Sequence, residues 1–213
     1  MAEEKERSTP KSRMETLSDL IFGLALSIGA LTLIGAAPRS FQDLLISIAY
    51  YAFSFLILIS VWYSYTRTMS SVRIETRREV ELNVTLLFLV SIEPFLFNEL
   101  TSSNLPSQWV SIVYALDLGG LFIIQALFSN SVLADKERTS DVLTHYEALR
   151  NSQLVGAAFF FVSILPFFWT LTIHINGEIN VHLRYLIWIG PLFIRSIRTV
   201  WEEHLLGIRK RTV

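Results

Sequence analysis

Residues 17–37 read LSDLIFGLALSIGALTLIGAA, and this stretch decides the class of the protein. Asp19 is its only charged residue. About 20 apolar residues in an α-helix span the roughly 30 Å hydrocarbon core of a bilayer. The stretch therefore predicts a transmembrane helix that ends before Pro38. The polar residues 1–12 lack the order of a cleavable signal peptide, so we expect this helix to stay in the mature protein.

Five further stretches have nearly the same length and apolar character, and 52% of the chain is hydrophobic. The six predicted spans cover residues 17–37, 44–66, 80–98, 109–129, 153–174 and 183–200. This pattern predicts an all-α, six-helix transmembrane domain over residues 13–206. It is flanked by a polar tail at 1–12 and a basic tail at 207–213. We expect the polar stretch 130–152 to prolong span four or five into the cytoplasm.

The basic residues support an even number of spans. With the N-terminus inside, all but two of the 18 Lys and Arg residues fall on the cytoplasmic side; Arg39 and Arg184 are the exceptions. Loops rich in Lys and Arg stay on the cytoplasmic side of a membrane. We therefore predict a multi-pass protein of the cell membrane with both termini in the cytoplasm.

The composition also excludes several functions. The net charge is −1 and cysteine is absent, which argues against nucleic-acid binding, disulfide scaffolds and thiolate chemistry. The four histidines are scattered, and no catalytic triad, P-loop or G-x-G-x-x-G run occurs. We expect no enzyme activity, no cofactor and no metal site.

The first predicted helix is rich in small residues, which let transmembrane helices approach closely. We therefore expect it to be buried among other helices. One face, taken at steps of three and four, carries Leu20, Leu24, Ser27, Leu31 and Ile34. By itself this face is typical of an ordinary buried helix. Asp19 is as consistent with a charge at the membrane interface or the helix start as with an intramembrane group that faces protein or water.

The start of this helix resembles a known signature. Residues Arg13-x-x-x-Leu17-Ser18-Asp19 are similar to the R-x-x-x-F-S-D motif of the transmembrane protein 175 family of endolysosomal-type potassium channels, with Leu17 in place of Phe. Trp62, the stretch 81–95 and residues 114–116 are also similar to that family. A histidine that often follows the tryptophan in the family is missing here, so a polar network that uses it must be rebuilt or absent.

The resemblance implies a prokaryotic homotetramer with four copies of helix one around a central pore. It places a pore constriction at Leu24, a hydroxyl layer at Ser27 and a further apolar ring at Leu31. It gives Arg13, Ser18, Asp19 and Trp62 a structural or gating role. The implied function is a potassium-permeable cation channel of the leak type. Its gate would be the apolar rings, without a carbonyl selectivity filter.

Two other functions are consistent with the sequence, a secondary transporter and a membrane scaffold. Glu93, which precedes Pro94 in span three, and Asp117 in span four are intramembrane acids. Such acids are costly in hydrocarbon and mark either buried structural groups or proton and cation sites. Together with Asp19 they suggest a proton- or cation-coupled secondary transporter. A non-conducting membrane scaffold is the third interpretation.

Overall fold

The computed structural model describes residues 10–35, 40–72, 77–101, 107–135, 139–175 and 179–191. Its long helices are α1 (Pro10–Gly35), α2 (Phe41–Ser71), α3 (Arg77–Thr101), α4 (Ser107–Leu133) and α5 (Ser140–Ser163). A short helix α6 (Pro166–Thr170) and two strands follow, β1 (Thr172–Ile175) and β2 (Ile179–His182). A last described helix, α7, covers residues 183–191.

Within this described part, α1 to α4 are the four helices long and apolar enough to cross a membrane. They contain the described residues of the first four predicted spans and extend beyond most of their predicted ends. The 31 residues of α2 correspond to a length of about 46 Å, which exceeds the bilayer core. Polar end turns carry these helices out of the hydrocarbon. The chain is therefore a multi-pass membrane protein.

Helix ends follow from local sequence. Pro10 begins α1, where its missing N–H costs no helical hydrogen bond, so the helix reaches back into the predicted tail. Ser40 caps α2 by accepting a hydrogen bond from the Asp43 backbone N–H at 3.0 Å. These signals explain why the helices start before their apolar runs do.

Helix α4 lies at the centre of the bundle and packs against α5 and α3, whereas α1 packs against α3 and α2. Tyr114, Leu118 and Leu121 of α4 are fully buried. Phe160 of α5 and Trp188 of α7 close the core around them. The core of the chain is thus built on α4.

The fifth predicted span, 153–174, is not one continuous helix. Helix α5 begins in the polar stretch at Ser140 and ends at Ser163, and the chain then forms α6 and an antiparallel hairpin of β1 and β2. Pro166 cannot donate the hydrogen bond that would continue α5, so it starts a new helix instead. The hairpin also corrects the all-α prediction, although the rest of the described chain is helical. Residues 192–200 of the sixth predicted span lie outside the described residues.

Candidate functional site

Helix α1 carries a face that the rest of the described chain leaves uncovered. Its large apolar side chains are half exposed or more, with Leu24 at 61% and Leu31 at 60%. The members of this face, here called the leucine stripe, are Leu17, Leu20, Leu24, Ile28 and Leu31. They follow one another at steps of three and four, the spacing of one helix face. Within one chain, α1 is therefore buried only on its other face, against α2 and α3. The side chain of Ile34 lies outside the described residues.

Two residues beside the leucine stripe are not large and apolar: Ser27 has a hydroxyl group, and Gly23 has no side chain. The Ser27 hydroxyl is exposed and donates to the Gly23 carbonyl oxygen at 2.8 Å. Because its hydrogen is used within the helix, its oxygen lone pairs remain available to water or a cation. A Cβ atom added at Gly23 would meet nothing within 4 Å. The exposed face of α1 is thus apolar except for the hydroxyl of Ser27, and it has free space at Gly23.

The opposite side of α1 holds the motif residues against α2. Asp19 Oδ1 accepts a hydrogen bond from Trp62 Nε1 at 3.0 Å. Ser18 is fully buried, and its hydroxyl lies 2.7 Å from Tyr65 Oη. Arg13 is exposed one turn before Ser18. Three of the four predicted motif residues, Ser18, Asp19 and Trp62, therefore lie at one contact between α1 and α2.

Tyr65 extends this contact to α3. Its hydroxyl donates to Asn83 Oδ1 at 2.8 Å while it lies beside Ser18. A single phenol thereby joins α1, α2 and α3. Whether this contact replaces the polar network of the missing histidine stays a prediction.

Two further hydrogen-bonded contacts hold the C-terminal end of α2. Lys11 Nζ donates to the carbonyl oxygens of Ser70 at 3.1 Å and Val72 at 2.9 Å. A positive charge at a helix C-terminus is favourable because unpaired carbonyl groups accumulate there. From α5, Tyr146 Oη lies 2.8 Å from Ser71 Oγ. The start of α1 is thus attached to the end of α2.

Glu93 and Asp117 lie together between α3 and α4, away from the motif residues. Glu93 is 0% exposed, and its Oε1 accepts from Ser54 Oγ at 2.8 Å and from Tyr114 Oη at 2.9 Å. Asp117 is 4% exposed, and its charge interacts with that of Glu93. Among the described residues, neither Asp117 oxygen nor Glu93 Oε2 has a hydrogen-bond partner.

Comparison with known proteins shows which family the first part of the chain resembles. Residues 13–94 match the family model described as endosomal/lysosomal potassium channel TMEM175. The fold is similar to the crystal structure of a lysosomal potassium-selective channel TMEM175 homolog from Chamaesiphon minutus. That match has a TM-score of 0.59 at 18% identity and covers 88% of this chain and 97% of that chain. The predicted resemblance to the TMEM175 family is confirmed. None of the curated protein sequences matches the chain.

The TMEM175 match covers α1, α2 and most of α3. It includes the leucine stripe, Ser27, the motif residues and Glu93, whereas Asp117 follows it. The family is a channel family, in agreement with the prediction that the chain is not an enzyme.

Sequence reasoning missed a polar cluster that lies partly outside the TMEM175 match. Gln153 of α5 donates to Ser64 Oγ at 3.1 Å and accepts from Ser129 Oγ at 2.9 Å. Gln125 of α4 donates to the Val61 carbonyl oxygen at 3.0 Å. These buried amides join α2, α4 and α5. A glutamine inside an otherwise apolar predicted span could have indicated this cluster from the sequence.

Arg184 was predicted only as an extracellular charge, yet it is fully buried. Its guanidinium donates to the carbonyl oxygens of Ser163 at 2.8 Å and Ile164 at 3.1 Å, where α5 ends. It also donates to Ser111 Oγ at 2.6 Å. The guanidinium fork therefore fixes the break after α5 against α4.

Proposed function

We propose that this protein is a potassium-permeable cation channel of the leak type, built as a homotetramer with four copies of α1 around a central pore. The observation that carries the proposal is the uncovered leucine stripe within the part of the chain that matches the TMEM175 model. A ring of four leucines at Leu24 closes such a pore by excluding water, and Leu31 forms a second ring. No charged gate is required.

Two features favour a pore over a lipid-facing surface for the stripe. Ser27 presents an exposed hydroxyl oxygen in the middle of the apolar face, which lipid cannot hydrate. Four such oxygens would replace part of the hydration shell of a potassium ion. Gly23 adds open space one turn away. A hydroxyl layer supplies fewer oxygens than a carbonyl cage, so we expect modest selectivity.

The contacts on the other side of α1 suit a pore helix. Asp19, Ser18 and Lys11 attach α1 to α2 within a single chain. The apolar rings would therefore be positioned by the fold of each subunit. We also propose six spans with both termini in the cytoplasm of the cell, on the strength of the distribution of Lys and Arg.

The test is potassium flux from liposomes that contain the purified full chain. We expect Leu24→Ala to raise flux about tenfold, because a wider and wetter constriction removes a barrier on the order of 1.4 kcal/mol. Leu31→Ala should raise it less. The matched control is Leu56→Ala on α2, a leucine that is 49% exposed but lies outside α1. It should leave flux unchanged.

Other outcomes of the flux experiment separate the alternatives. Saturable flux coupled to protons, unchanged in Leu24→Ala, would support a secondary transporter. Absence of flux in the wild type and both α1 variants would support a scaffold. The transporter receives little support from geometry: Glu93 lies ten residues beyond Asn83 on α3, about 15 Å along the helix from the contacts of α1 with Tyr65. Asp19 therefore does not form one site with Glu93 and Asp117.

A further inference from the structure

We propose that Glu93 and Asp117 form a proton-binding pair, of which at least one carboxyl group stays protonated at neutral pH. The pair lies between α2, α3 and α4 and is separate from the leucine stripe. It does not depend on the proposed channel activity, since it is argued from the burial and hydrogen bonds of one chain.

The first step is the lack of compensation for two negative charges. Both side chains are at least nine-tenths buried, and three of their four carboxylate oxygens have no hydrogen-bond partner among the described residues. No Lys, Arg or His side chain within those residues forms a hydrogen bond or ion pair with either group. An unpaired buried carboxylate is strongly unfavourable, and two neighbouring carboxylates cannot both stay ionised in such a site.

The second step is the arrangement around Glu93. Ser54 of α2 and Tyr114 of α4 both donate to the same oxygen, Oε1. They thus leave Oε2 as the free oxygen, on a residue whose charge acts on Asp117. Glu93 Oε1 already accepts two hydrogen bonds, whereas the other three carboxyl oxygens have no donor among the described residues. A proton on the pair turns one of them into a donor.

The third step excludes a metal ion in favour of a proton. A bare metal cation requires a shell of about six oxygen ligands. The hydroxyls of Ser54 and Tyr114 point their hydrogens, and not their lone pairs, at Glu93. No group of three or more metal-ligating side chains occurs among the described residues. A proton needs only the two carboxyl groups.

The other titratable group that faces the pair is the Tyr114 phenol, which contributes from α4. Ser54, which contributes from α2, does not titrate in the accessible pH range. Loss of that proton would place two charges between α3 and α4, the two helices that carry the buried core. The proton therefore stabilises the contact between α3 and α4.

The direct test is infrared absorption of the protonated carboxylic acid in the purified full chain in detergent. At about pH 7 we expect the wild type to show this band. Exposed carboxyl groups are ionised at this pH and do not contribute to it, so the band reports a buried acid. Glu93→Gln and Asp117→Asn should each shift it, and the double variant should lose it. The control is Asp141→Asn, an exposed acid in the first turn of α5, which should leave the band unchanged.

A second readout is the melting temperature as a function of pH. Folding favours the protonated pair, so the wild-type melting temperature should fall by several degrees as the pH is raised well above neutral. The double variant should lose this dependence. Absence of the band in the wild type would mean that both acids are ionised and another cation balances them, which overturns the proposal. A band unchanged in the double variant would also overturn it. Since Gln and Asn mimic the protonated acids, failure of both single variants to fold would do the same.

Discussion

Helices α1 and α4 differ in burial although both are long apolar helices, of 26 and 27 residues. In the apolar window of α1, 22% of the residues are buried within the chain, against 61% in that of α4. Both helices contain glycine and serine in their apolar runs. Apolar composition therefore predicts that a helix enters the membrane, but it does not distinguish a helix at the centre of a subunit from one at its edge.

The polar residues of the two helices show the same contrast. Those of α4, including Ser111, Asp117, Gln125 and Ser129, are buried and face other helices of the chain. On α1, Ser18 is buried, whereas Ser27 faces away from the rest of the chain. Helix α4 thus uses polar groups to fix its neighbours within a subunit. Helix α1 keeps one hydroxyl for contacts outside it.

The largest expected effect tests this contrast with one substitution on each helix. Leu118→Ala should destabilise the fold by about 2 kcal/mol, because it leaves a cavity at a fully buried site of α4. The effect is below the upper end for soluble cores, since lipid tails are as apolar as the core. Leu24→Ala should change stability by less than about 0.5 kcal/mol. Thermal unfolding of the purified chain in detergent measures both.

Equal losses in these two variants would contradict the contrast between α4 and α1. Such a result would mean that the leucine stripe packs against something that stays bound in detergent, such as further copies of the chain. Cross-linking of the wild type in the same detergent would then show whether those copies are present.

A smaller effect is expected from a glycine on each helix. A Cβ atom at Gly119 would lie 2.8 Å from the ring of Phe161, so Gly119→Ala must displace that ring. We expect a loss of about 1 kcal/mol or more. Gly23→Ala meets no atom within 4 Å and should leave the fold as stable or raise its stability by up to about 1 kcal/mol.

Potassium flux separates the two glycine variants further. If α1 lines the pore, the added methyl group of Gly23→Ala should lower flux without loss of stability. Unchanged flux in a fully stable Gly23→Ala protein would place this part of α1 away from the ion path.

The smallest expected effect concerns the contact that attaches α1 to the bundle. Tyr65→Phe removes the hydroxyl between Ser18 and Asn83, which leaves two buried polar groups with one partner fewer. Hydrogen bonds between membrane helices are worth about 0.6 kcal/mol, so we expect a loss on the order of 1 kcal/mol. Unfolding in detergent is the measurement, with Tyr50→Phe, at an exposed position of α2, as the control. Equal losses in both variants would show that Tyr65 does not join the three helices energetically.

Much of the fold was predictable because helix length in a membrane follows from bilayer thickness. The described residues of the first four predicted spans fall inside α1 to α4. The helix ends were less predictable, since caps such as Ser40 and Pro10 lie outside the apolar runs. The hairpin after α6 had a signal that was missed: Asn176-Gly177 stands between alternating β-branched residues, a pattern typical of a hairpin turn.

The candidate site was predictable only in part. The spacing of Leu24, Ser27 and Leu31 indicated one face, and the structure leaves that face uncovered. The role of Tyr65 could not be inferred, because its partners Ser18 and Asn83 come from two other helices. The partners of Arg184 could not be predicted either. A charge at the edge of a span says nothing about the carbonyl groups of Ser163 and Ile164 that it binds.

The sequence by itself determined that the chain enters the membrane and which residues share a helix face. Both follow from local physics: the cost of exposing backbone groups in lipid, and the period of the α-helix. Only the tertiary structure decided which faces are covered, that Tyr65 joins α1, α2 and α3, and that Glu93 and Asp117 are both buried. These contacts depend on how helices pack, and packing in lipid is set by side-chain fit and a few hydrogen bonds between residues far apart in the chain.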